Sequence, residues 1–147
     1  MSSEAAIQSG IQTAIKAMTE FADADVVVND WSLLDQPGNN APYVIIQTAD
    51  DFDSQQDTVS PQNEYYVILT LVEIFENWKT TLDNLCTHRQ AIIDKINTTT
   101  VRSAGGLDGV RVRRVRNNGQ VDYLFQNAED TLPIYAMQEI VLEVEDY

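Results

Sequence analysis

The chain has 147 residues, a length at which one hydrophobic core is normal and two would be cramped. Its 44% hydrophobic and 22% charged content is that of a globular domain, and no apolar run approaches the roughly 18–20 residues of a membrane-crossing helix. With 23 acidic against 9 basic residues the net charge is −14, which disfavours non-specific binding to nucleic acid and to anionic membrane.

The opening residues, Met1 to Ala6, lack the basic and apolar regions of a signal peptide. One cysteine, Cys86, leaves no internal disulfide to form. Together these predict a soluble product of a reducing compartment, in which the sequon Asn97-Thr98-Thr99 meets no glycosylation machinery. Ser3 reads as an N-cap, and Ile7, Ile11, Ile15 and Met18 recur at helical spacing, predicting a first helix to about Phe21. Val26-Val27-Val28 is a short β-branched strand. Turn-forming residues from Asp35 to Pro42 predict a loop, and Tyr43 to Thr48 a second strand. The polar, acidic stretch 49–63 separates two strands expected to pair antiparallel, so it reads as a long loop projecting from a sheet end.

Glu64 to Phe75 is the most informative segment. Its odd positions read Tyr65, Val67, Leu69, Leu71 and Phe75, broken by Glu73, and its even positions read Tyr66, Ile68, Thr70, Val72 and Ile74. A strand apolar on both faces must be covered on both, and its twelve residues would span roughly 40 Å at about 3.3 Å each. The following helix, about Asn77 to Asn97, carries the stripe Trp78, Leu82, Leu85, Ile92, Ile93 and Ile96. Arg89 falls within that stripe. Its stem can pack while its head reaches solvent, or it can pair with a carboxylate of a neighbouring subunit. The glycine-rich link 105–109 precedes Val110 to Arg116 and Gln120 to Phe125, which flank Asn117-Asn118-Gly119 and predict a hairpin. The phase slip from Val110 and Val112 to Val115 predicts a β-bulge at Arg113-Arg114. The final strand, Ile134 to Val144, sets Ile134, Ala136, Gln138, Ile140, Leu142 and Val144 on one face and Tyr135, Met137, Glu139, Val141 and Glu143 on the other.

Charge is unevenly placed. Five of the nine basic residues, Arg102, Arg111, Arg113, Arg114 and Arg116, fall within fifteen positions, and the 31 residues after them contain seven acidic residues and no basic one. Such a segment can face nucleic acid or an acidic surface of the same protein, and the net charge favours the second.

The residues predict no catalysis. Cys86 and His88 lie two positions apart on a helix and so point apart, and His88 reads as solvated on the polar side. Asp51, Asp53 and Gln55 begin like a calcium loop, but Gln56 and Gln62 stand where glycine and glutamate belong. A solvated loop is favoured over a weak cation site at Asp50, Asp51, Asp53 and Asp57. The glycine-rich link lacks the pattern and the following Lys-Ser/Thr of a phosphate-binding loop. No metal, cofactor or catalytic residue is assigned.

Two helices and about six strands make a single α+β domain over 1–147: two layers, a mainly antiparallel sheet of about five to six strands, and two helices packed on one face. The other face and the sheet edges should then need partners, which a closed ring or dimer would supply.

In layout the chain resembles the tail terminator proteins of long-tailed bacteriophages, which look much like head–tail joining proteins. The resemblance rests on the helix Ala5 to Met18, the loop ending at Pro42, the long strand running into a helix with Leu82, Leu85, Arg89, Gln90, Ala91 and Ile92, the arginine-bearing segment 102–126, and the closing run Pro133 to Val144. It covers nearly the whole chain as layout more than as motif, and the acidic loop at Asp50 to Asp57 has no counterpart in it. It implies a homo-hexameric ring at the tail–neck junction of the virion, assembled in the host cytoplasm. The implied partners are the tail tube and the neck connector, with genomic DNA only passing through the channel and no membrane involved. For such a ring, the expected interface residues are Arg89, Arg111, Arg113, Arg114 and Arg116, facing Glu139, Glu143 and Glu145 or the loop residues Asp50, Asp51, Asp53 and Asp57.

Overall fold

A computed structural model describes residues 4–21, 25–32, 42–48, 63–97 and 110–146. The elements are α1 (Glu4–Lys16), β1 (Val26–Val28), β2 (Tyr43–Thr48), β3 (Asn63–Ile74), α2 (Trp78–Ile96), β4 (Val110–Leu124) and β5 (Tyr135–Asp146). The strands form one sheet in the order β1-β2-β3-β5-β4, with β1 parallel to β2 and every other pair antiparallel. The domain is α+β.

The twelve-residue strand β3 takes the centre of the sheet, the position that suits its two apolar faces. Val67, Leu69 and Leu71 of β3 join Val44 and Ile46 of β2 and Ala136, Ile140, Leu142 and Val144 of β5 in the main core. Ile11 and Ile15 of α1 and Leu85, Ile92 and Ile96 of α2 close over them. Both helices therefore pack on one face, as the apolar stripes predict.

α2 begins where local chemistry favours it. The Asn77 side chain accepts from the Thr80 N–H at 2.8 Å, and the Thr81 hydroxyl accepts from the Glu76 N–H at 2.9 Å, so two amides near the helix start are satisfied. It ends at Asn97, whose N–H reaches the Ile93 carbonyl at 2.9 Å. Trp78 is not part of the buried stripe. It is 48% exposed and stands edge-on to Phe75 and Tyr123, with centroids at 4.8 and 5.3 Å.

The structure departs from the sequence reading in several places. α1 stops at Lys16 instead of running to Phe21, and the chain turns there so that Phe21 enters the core. Ile134 precedes β5 and packs with the second cluster, so it leaves the face of Ala136. The largest difference is at Asn117-Asn118-Gly119, which forms no hairpin. Residues 110–124 are one strand along β5, with three residues, Asn118 to Gln120, standing against the single residue Glu139. Gly119 takes a positive φ of 80° inside this bulge, a conformation glycine adopts without strain. The asparagine–glycine signal marks a break in regular backbone, and β5 is long enough to pair on both sides of it. The other expected bulge is present: Val112 faces Val144 and Arg114 faces Glu143, leaving Arg113 extra. The Ser3 cap, the loop Asp35 to Pro42 except Pro42 itself, most of the acidic stretch with Asp50, Asp51, Asp53 and Asp57, and the glycine-rich link lie outside the described residues.

Candidate interaction surface

Strand alternation sends Tyr43, Ile45, Val72 and Tyr135 to the face without helices, where they form a second buried cluster flanked by Val27, Ile74, Leu124, Ile134 and Met137. That end of the face is already dry in a single chain, which corrects the expectation that the whole face needs a partner. Tyr43 and Tyr135 meet edge-on at 6.3 Å. Burial, helped by Tyr135, pushes the Tyr43 phenol up to about 12. Toward the other end, Tyr66 and Ile68 of β3 and Val141 of β5 are only half-buried. The register sets Tyr66 opposite Glu143 and Ile68 opposite Val141, so they form one continuous strip.

Arg116 borders this strip. Its Nε lies 3.3 Å from Glu143 Oε1, and its guanidinium stands over the Tyr66 ring at 5.5 Å. The side chains are 44% and 20% exposed, so the ion pair is partly screened by solvent. Backbone register also sets Arg111 opposite Glu145 and Arg114 opposite Glu143. For Arg116 and Glu143, the charge pairing expected between copies occurs within one copy. Arg113 sits at the bulge, and Glu139 is half-buried opposite the second bulge.

Arg89 is engaged inside the chain too. Its Nη1 donates to Gln138 Oε1 at 2.7 Å, so the head that was expected to reach solvent or another subunit is tied to β5. Next to it on α2, His88 corrects a second expectation. It is not solvated but contacts Glu73 through Nδ1, with side-chain exposures of 20% and 6%, and Phe21 packs on its ring at 5.8 Å. Two signals could have shown this. Glu73 interrupts an otherwise apolar inner face and so needs a buried partner. His88 lies three residues after Leu85 and four before Ile92, which puts it on the stripe.

Among the described residues no three His, Cys, Asp or Glu side chains gather where they could hold a metal ion, and no helix is long and apolar enough to cross a membrane. Cys86 is exposed. What the arrangement offers is a surface: a half-exposed apolar strip with an Arg–Glu border, beside an edge strand, β4, that pairs only with β5 among the described residues. No protein-family model matches the sequence, and no curated protein matches it either.

Proposed function

We propose that the chain is a structural protein of a long-tailed bacteriophage, a tail terminator whose copies close into a ring that caps the tail tube and joins it to the neck. The observation that carries this reading is the sheet face that carries no helix. Tyr66, Ile68 and Val141 remain half-exposed on the two longest central strands, and the fifteen-residue edge β4 has one side unpaired among the described residues. Long strand edges and exposed apolar strips favour association with further copies. The subunit contact falls on this strip and edge more than on the arginines, because Arg116 and Arg89 already have partners within the chain.

The ring works by shape and differential affinity, with no reaction. One side matches the last ring of the tube and the other offers no site for a further tube ring. The arginine segment acts less as a DNA-binding patch than its composition suggests, since β5 supplies facing glutamates at two register positions. A head-completion role requires the same architecture and a different position in the virion.

The test is tube assembly. Purified chain added to polymerising tail tube protein should arrest growth and be found at one end of each tube. Binding to the neck connector without binding to tubes would assign the head-completion role, and binding to neither would overturn both readings.

A further inference from the structure

The contact between Glu73 and His88 lies where α2 crosses the centre of the sheet, and it needs no ring to exist. Glu73 is an acidic residue that β3 turns toward the helices, near the end where the strand passes into α2 through a short turn. His88, in the middle of α2, reaches down to it. Among the described residues the surrounding groups are few. β3 and the turn after it bring Glu73 and Glu76, and α2 brings His88 and Arg89. β5 brings the neutral Gln138 that holds Arg89, and the chain after α1 brings the apolar ring of Phe21 against His88. Gln138 faces Leu71, two residues from Glu73, so α2 is tied to two adjacent central strands through two adjacent side chains.

We propose that the Glu73–His88 contact is a proton-dependent clasp, which holds α2 to the sheet while the pair retains a proton and loosens α2 ahead of the strands when that proton leaves. With one proton between them, the pair is either carboxylate and imidazolium or carboxylic acid and imidazole, and both arrangements carry a strong hydrogen bond and no net buried charge. Once the proton is lost, a bare carboxylate faces a neutral ring beneath a helix, with little water to solvate it. The perturbation of Glu73 agrees in sign. Burial raises its pKa above the ordinary 4.5; His88 works against the rise and Glu76 adds to it. A folded-state pKa above the unfolded one gives stability that is complete below 4.5 and lost as pH rises through the folded value. The clasp therefore weakens toward alkaline pH.

Amide hydrogen exchange of the full chain tests it, at about pH 4.5 and about pH 8.5 with intrinsic chemical rates divided out. In the parent, protection of α2 relative to β3 and β5 should fall by about threefold or more at the higher pH. Taking the ratio removes the general repulsion of a chain of net charge −14, which acts on every element. In Glu73→Gln the ratio should stay level. A level ratio in the parent, or an unchanged fall in Glu73→Gln, would overturn the clasp. If Glu73→Gln does not fold, the parent ratio decides alone.

Discussion

Arg116 is where sequence and structure meet most closely at the scale of single residues. It was conspicuous as part of a basic run in an acidic chain, and the structure gives it two partners, the Glu143 carboxylate and the Tyr66 ring. Because the pair is partly exposed, a double-mutant cycle of Arg116→Ala and Glu143→Gln should give a coupling of only about 0.2–1 kcal/mol, fading as salt is raised. Urea unfolding of the four proteins checks it, and a coupling unchanged in salt would mean the pair is drier than its exposure indicates. Glu73 and His88 were harder to read. Each was visible in its own periodic pattern, but their meeting depends on how α2 lies across β3, which no single pattern encodes. Arg89 is similar: its place in the stripe was legible, but its partner Gln138 lies on a strand 49 residues away.

Elements were the most legible level, and the reason is periodic burial. β2 occupies Tyr43–Thr48 and α2 sits between Asn77 and Asn97, as alternation and helical spacing predict. The Asn77 cap should be worth about 1 kcal/mol, so Asn77→Ala should lower the urea midpoint correspondingly without changing the fold. The misread element was the last third of the chain. Asn117-Asn118-Gly119 has hairpin chemistry, but a hairpin needs its two arms to prefer each other. β5 offers both arms a longer partner, and pairing with it packs Val115, Val121 and Tyr123, each partly buried, against the main core. Local turn preference loses to that burial, and the spare residues become a bulge. Gly119→Ala tests this: with φ at 80° and open space around the added methyl, it should cost about 1 kcal/mol in thermal unfolding from backbone conformation alone. No cost would mean that the bulge relaxes freely.

At the scale of the molecule, the two-layer plan followed from counting: two helices cannot cover two faces of a five-stranded sheet. How far the second face closes on itself was not legible, because the cluster of Tyr43, Ile45, Val72 and Tyr135 draws on three strands whose neighbours are set only by the topology. What remains half-exposed is the strip at Tyr66, Ile68 and Val141, which the proposed ring would cover with other copies of the chain. Light scattering with electron micrographs of the purified protein over a range of concentrations shows whether copies cover it. Closed rings with a central hole, at a multiple of 16.5 kDa and dispersed to folded single copies by Ile68→Asp, are the predicted result. A folded single chain of 16.5 kDa that persists at the highest concentration would contradict it.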